Sequence, residues 1–244
     1  MIISFFEEYP TKLNLSKLKL IKFPTKVYIA SKSFSDFKEL KSKIKNKYVK
    51  EIIYWPVLEK KEGYWYSPFS NRKALKRTLN EIPLSQEVMI DLEFPTTQNS
   101  KLFLSEFHNF FRNRRLISKF IKQHKRIYTA EYFPNKLWLK FLGLNYDPIK
   151  YQSRVIKMLY TSMWPFSESF LNKKLKENNL KFNSRFIAGF GTIAVGQRGD
   201  EPILSLNNLE RDLTIAQKNN IKEVIIFRLG GLNKNYINVL SKFS

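Results

Sequence analysis

Short apolar runs rich in β-branched and aromatic residues recur along the chain. They read Ile2–Phe6, Lys26–Ala30, Glu51–Val57, Val88–Glu93, Arg126–Glu131, Lys157–Met163, Arg185–Ala194 and Glu223–Arg228. Successive runs begin roughly 25–38 residues apart, the length of a strand, a helix and two connections. Helical spacing fills most of the gaps. Phe34, Phe37, Leu40 and Ile44 form one apolar stripe, with Lys38, Lys41 and Lys45 on its far side. Leu104, Phe107, Phe111 and Phe120 define a second, longer helix. Phe170, Leu171 and Leu175 mark a third, Leu209, Leu213 and Ala216 a fourth, and Tyr236, Ile237 and Leu240 a closing one. The first helix, around Asn14–Leu20, is short. Leu58–Asn71 is a long irregular connection after the third strand.

Alternation of strand and helix implies right-handed crossovers and a parallel sheet. Eight such units in 244 residues predict an α/β fold, a single parallel (β/α)₈ barrel spanning 1–244 as one domain. An open doubly wound sheet is the alternative. No Gly-x-Gly-x-x-Gly follows the first strand, which counts against a dinucleotide-binding version of it.

In a parallel barrel, chemistry collects where strands end and βα loops begin. The first strand ends in Glu7-Glu8-Tyr9-Pro10, the third in Tyr54-Trp55-Pro56, and the fourth in Asp91-Leu92-Glu93-Phe94. The fifth ends in Glu131-Tyr132-Phe133, the sixth in Ser162-Met163-Trp164-Pro165, and the eighth in Arg228-Leu229-Gly230-Gly231. Carboxylates in apolar strands are costly unless paired, hydrated or used. Asp91 and Glu93 are two apart, so both point to one face, the barrel mouth. Glu131 closes the neighbouring strand. Glu7 and Glu8 are adjacent, so only one can point inward, and Glu8 is the preferred one. Glu93, Asp91, Glu131 and Glu8 are therefore the candidate catalytic acids. An ion-paired carboxylate layer with Arg228 or Arg126 is the structural alternative. Paired carboxyls with separated pKa values suit glycoside hydrolysis, and aromatic rings suit the apolar faces of sugars. Tyr9, Trp55, Trp65, Tyr132 and Trp164, with Arg228, are the candidate substrate-binding residues.

Asp91-Leu92-Glu93 resembles the Asp-x-Glu signature of barrel glycosidases of the chitinase and muramidase type. Ile225-Ile226-Phe227-Arg228-Leu229-Gly230-Gly231 is similar to the last strand of chitinase-like barrels. The resemblance implies that Glu93 is the proton donor and that Asp91 orients a substrate acetamido group or steadies the charge. The chain departs from the pattern at Met89 and Gln86, where the family carries further aspartates, and at Phe227, where it carries tryptophan.

A second constellation points elsewhere. Gly191, Gly196 and Arg198 follow the seventh strand, and Arg228 and Gly230 the eighth. Loops after strands seven and eight commonly hold phosphate on glycine amides, with arginine as a bidentate partner. The alternative ligand is thus a phosphorylated small molecule instead of a carbohydrate.

Composition trims these options. Absence of cysteine excludes disulfides, thiolate nucleophiles and Cys-ligated metals. The two histidines, His108 and His124, lie away from the expected mouth in no ligand spacing, so no metal and no cofactor is expected. A carboxylate-bound Mg²⁺ at Asp91, Glu93 and Glu131 is the exception. The net charge of +22 raises nucleic acid as a partner, but the lysines are spread over the chain in a Lys-, Asn- and Ile-rich composition, which disfavours that reading. The basic helix positions Arg112, Arg114, Arg115, Lys119 and Lys122 read first as a solvated face, with contact to nucleic acid or membrane phosphates, and hence a non-catalytic polyanion-binding protein, as the alternative. No apolar run approaches the roughly 18 residues that cross a bilayer, and the first residues lack a signal-peptide pattern, so a cytoplasmic protein is expected. Oligomeric state is not encoded in these patterns.

Overall fold

A computed structural model of the chain describes residues 1–95, 100–133 and 136–244. Its strands are β1 (Ile2–Glu7), β2 (Thr25–Ser31), β3 (Val49–Pro56), β4 (Val88–Leu92), β5 (Ile127–Tyr132), β6 (Arg154–Met158), β7 (Phe186–Gly191) and β8 (Glu223–Phe227). They follow one another in chain order around a closed barrel, and the ladders at β1–β2, β3–β4, β4–β5, β7–β8 and β1–β8 are parallel. The helices are α1 (Lys12–Ser16), α2 (Phe34–Lys43), α3 (Arg72–Glu81), α4 (Lys101–Ser105), α5 (Phe110–Gln123), α6 (Leu137–Phe141), α7 (Glu168–Phe182), α8 (Leu206–Lys218) and α9 (Lys234–Leu240). The chain is thus a (β/α)₈ barrel. Its residues group into two compact units, one of Met1–Ala30, Leu40–Ile53 and Lys157–Ser244, the other of Ser31–Glu39 and Tyr54–Ile156.

In the first unit, Phe6 of β1 meets the rings of Tyr28 and Phe227 at 5.5 and 6.3 Å. Below them Glu223 accepts from Ser4 and Tyr28 and pairs with Lys26 at 3.1 Å. Lys26 also reaches Glu51 at 3.5 Å. This buried polar cluster lies at the start of the strands, the end of such a barrel that serves stability. Helices α7, α8 and α9 begin at caps supplied by Ser167, Ser205 and Asn233, whose side chains accept backbone N–H groups of the first turn.

In the second unit, Phe37 of α2 stacks on Tyr54 of β3 with centroids 4.8 Å apart. Tyr54 therefore marks the helix-facing side of its strand. Tyr54 pairs with Val88, and Val88 with Ile127. Parallel partners share a face, so Val88, Ile90 and Leu92 face helices together with Ile127, Thr129 and Glu131. The opposite, inward face carries Met89 and Asp91 on β4, and Tyr128, Ala130 and Tyr132 on β5.

Several details differ from the sequence reading. Strand β6 starts three residues earlier than expected and ends at Met158, because the backbone turns at Tyr160, whose carbonyl accepts from Met163 and Trp164. Helix α3 follows the long connection, capped by Asn71, and buries Ala74, Leu75, Thr78 and Leu79. The stripe Leu104, Phe107 and Phe111 faces solvent instead of the core. The chain there breaks into α4, a 3₁₀ turn at Phe107–Asn109 and α5, and the buried positions are Leu102, Phe110, Ile117, Phe120 and Ile121. The first helix is one α turn followed by a 3₁₀ turn at Lys17–Leu20.

Candidate active site

Asp91, the fourth residue of β4, is buried and inward-facing. Glu93 follows the strand end directly and is partly exposed. The connection after β3 covers this strand end. Its 3₁₀ turn at Lys60–Glu62 is closed by a Glu59/Glu62 capping box, and Arg77 of α3 grips Glu62 through two bonds of 2.8 and 2.9 Å. Gly63 leaves the turn at φ 116°, a conformation that favours glycine. Tyr66 then donates its backbone N–H to the carbonyl of Asp91 at 2.9 Å and its hydroxyl to Thr78 of α3 at 2.8 Å. The irregular connection is thereby a braced cover of the β4 end.

Tyr132, the last residue of β5, joins the acids. Its hydroxyl accepts the backbone N–H of Phe94 at 3.2 Å and hydrogen-bonds the Glu93 carboxylate. Burial pushes the Tyr132 phenol well above its usual range, and the charges of Glu93 and, less strongly, Asp91 add to the effect. The tyrosine thus stays a neutral O–H beside two carboxyls. The Phe94 ring lies 6.1 Å from Tyr132 and stacks on Trp138 of α6 at 6.4 Å with an interplanar angle of 10°. Trp138 is half exposed. Phe94 and Trp138 were not among the sequence candidates. An aromatic directly after Glu93, and a tryptophan in the helix after β5, were the available signals.

Glu131 is not brought to this cluster. It lies on the helix-facing side of β5, fully buried, where its Oε1 accepts from Thr129 Oγ1 at 2.8 Å and from the backbone of Tyr146 at 3.0 Å. It anchors the connection after α6. Trp55 is buried on the inward side of β3, and Trp65 is half-buried with its ring edge-on to Tyr64 at 5.5 Å.

In the first unit, Glu7 and Glu8 separate as adjacent strand residues must. Glu7 is fully buried and accepts from Tyr9 N at 2.8 Å, Asn14 Nδ2 at 3.2 Å, Arg228 Nη1 at 3.2 Å and Gly230 N at 2.7 Å. Burial pushes its carboxyl upward, against the opposing pull of Arg228 and these donors. Arg228 also donates to the Val195 carbonyl at 2.9 Å and lies 4.8 Å over the Tyr9 ring. Glu8 is buried beside Phe227 and Gly196. A Cβ on Gly196 would sit 2.7 Å from the Phe227 ring and 3.0 Å from the Glu8 carboxylate. Tyr9 donates to Gln197 at 3.0 Å, and burial, with the Glu8 charge, raises its phenol. Trp164 stands exposed in the connection after β6, whereas Tyr160, absent from the sequence candidates, meets Phe227 at 5.7 Å.

These contacts give no support to the phosphate reading of Gly191, Gly196, Arg198, Arg228 and Gly230, whose donors are largely committed within the chain. The amides of Gly196, Arg198 and Gly199 converge on the Glu201 carboxylate at 2.9, 3.1 and 3.0 Å, and that of Gly230 on Glu7. The loops are anion-binding nests whose anions are the protein's own. Gly191 is required by close approach, since a Cβ there would lie 2.8 Å from the Phe227 carbonyl. Arg198 is exposed and pairs with Asp200 at 3.3 Å. Arg228 is equally committed, to Glu7, the Val195 carbonyl and the Tyr9 ring. Among the described residues, no group of three or more His, Asp or Glu could hold a metal ion, and no helix is long and apolar enough to cross a membrane.

No family model matches the chain, and no curated protein matches it. Solved structures do. A family GH18 chitinase from Cycas revoluta, in complex with allosamidin, is 11% identical over 99% of this chain and 98% of its own, with a TM-score of 0.56. A mutant of that chitinase has been solved with (GlcNAc)4. The PgaB glycoside hydrolase domain from Bordetella bronchiseptica is 10% identical over 97% of this chain and 94% of its own, with a TM-score of 0.54. The spore cortex-lytic enzyme SleL from Bacillus megaterium is 10% identical over all of this chain and 74% of its own, with a TM-score of 0.50. At such identities the likeness is one of fold, and at that level the resemblance read at the ends of β4 and β8 holds.

Proposed function

We propose that the chain is a carboxylate-dependent, glycoside-hydrolase-like barrel acting on a carbohydrate. One observation carries this reading: Asp91 and Glu93 close β4 beside Tyr132, whose neutral hydroxyl bonds the more exposed of the two acids. Glu93 would protonate the glycosidic oxygen as the bond breaks, and Asp91, held in the strand behind it, would steady the oxocarbenium-like charge or orient a neighbouring substrate group. Tyr132 would position Glu93 without titrating itself. Phe94 and Trp138 offer a ring platform of the kind that stacks on a pyranose face. The fold neighbours that hold N-acetylglucosamine oligomers or their analogue support that class of sugar as the first substrate to try.

Release of reducing ends from N-acetylglucosamine oligomers tests the reading. Glu93→Gln should lower the rate by about 10²- to 10⁴-fold, the usual contribution of a positioned acid, with an unchanged thermal midpoint. Cleavage at the wild-type rate in a folded Glu93→Gln protein would remove Glu93 from the chemistry.

A further inference from the structure

The stripe Leu104, Phe107 and Phe111 has the three-and-four spacing of a buried helix face, yet these side chains are 85%, 70% and 68% exposed. Within the same compact unit, α6 exposes Leu137, Trp138 and Phe141 at 82%, 49% and 59%. The two groups rest on one aromatic layer. Phe110 touches Phe111 at 5.1 Å and Phe141 at 6.0 Å, and Phe69 links Phe110 to Phe94, on which Trp138 stacks. Six large apolar side chains held in water on a common base are a docking surface by physical criterion, because isolated exposed hydrophobics are ordinary and clustered ones are not.

Charge identifies the occupant. Every exposed charged residue from 100 to 123 is basic, and α6 is flanked by Lys136 and carries Lys140. The single acid of that stretch, Glu106, is buried and accepts from Asn71, Arg72 N and Asn109. Apolar side chains on segments whose exposed charges are all basic match a surface with an apolar interior and an anionic face. A second copy would bring like charges together in a chain of net charge +22. Neutral sugars need no cations, and the exposed Leu104 and Leu137 among the rings suit acyl chains better than nucleic-acid bases, which stack on planar groups.

We propose that this face docks onto an anionic lipid bilayer. Leu104, Phe107, Phe111, Leu137 and Phe141 enter the boundary between headgroups and acyl chains, and Lys101, Arg112, Arg115, Lys136 and Lys140 meet the lipid phosphates. The inference stands on exposure and charge and does not require Glu93 to be catalytic.

Co-sedimentation of the whole protein with vesicles tests it. Vesicles of equal parts phosphatidylcholine and phosphatidylglycerol should carry the protein down, and pure phosphatidylcholine should do so far less. Phe107→Ser with Phe111→Ser should weaken binding roughly a hundredfold, since each ring contributes its burial energy, with an unchanged thermal midpoint because both rings start in water. Arg112→Glu with Arg115→Glu should reduce binding toward the phosphatidylcholine level. Three results would overturn the proposal. One is no binding to anionic vesicles. Another is binding indifferent to the phenylalanine substitutions, the mark of a polycation alone. The third is a wild-type dimer that the phenylalanine substitutions convert to monomer, which would assign the face to a second copy.

Discussion

Glu7 and Glu93 both stand where a strand hands over to its loop, and their surroundings differ. Glu7 is sealed from water and receives four donors, one of them the Arg228 guanidinium. Glu93 is partly exposed, and its bond to Tyr132 is to a neutral hydroxyl. A buried carboxylate met by a cation and backbone amides is neutralised and immobile. It ties β1 to the loop after β8 and to α1, and has little freedom to move a proton. A carboxylate that keeps contact with solvent retains more of that freedom. Residue type and strand position are nearly the same in the two cases, so burial is what separates them.

The sharpest contrast is in stability. Glu7→Ala leaves Arg228 without its carboxylate and removes the acceptor of three further donors. Breaking a buried pair in this way costs about 3–5 kcal/mol, which lowers the thermal midpoint by roughly 10 °C in a chain of this size. Glu93→Ala should shift it by roughly a degree or two, as partly exposed substitutions usually do. Thermal melts of the two variants side by side check this. Equal losses would mean that Glu93 is as structural as Glu7.

A smaller effect separates positioning from packing at Tyr132. Tyr132→Phe keeps the ring against Phe94 and deletes only the hydroxyl that joins Glu93 to the Phe94 amide. Loss of one such bond is worth about 0.5–1.5 kcal/mol. It should appear as a drop in kcat of roughly tenfold with KM unchanged. A rise in KM with kcat intact would make Tyr132 a binding residue.

The alternation of strands and helices was legible because apolar periodicity is local, and all eight strands lie at or near their expected positions. Asp91 and Glu93 were legible for the same reason, since two-residue spacing and a strand end need no distant partner. Glu131 shows where that logic stops. It also ends a strand, but the Val88–Ile127 register turns it to the helix side, and register between strands is not written in either strand alone. Tyr132, one residue on, takes the inward place. The stripe Leu104, Phe107 and Phe111 misled for the converse reason. Spacing defines a face but not which way it looks, and here the 3₁₀ turn at Phe107–Asn109 rotates the buried face onto Leu102, Phe110 and Ile117. The glycine loops were recognisable as anion sites from composition, while the identity of the anion depended on Glu7, more than two hundred residues from Gly230 in the chain.

That last point carries the smallest and most specific test. In the loop after β7, three amides point at Glu201, which is partly exposed. Glu201→Ala should cost little, on the order of 1 kcal/mol, because water can reach the vacated donors. The emptied nest would then be open to a dissolved anion. The variant's thermal midpoint should rise with phosphate or sulfate concentration by linkage, while the wild type, its nest already filled, should respond less. Calorimetric melts of both proteins across a phosphate series, at constant ionic strength, measure the difference. A wild type that gains as much from phosphate as the variant would show that Glu201 does not occupy the nest in solution.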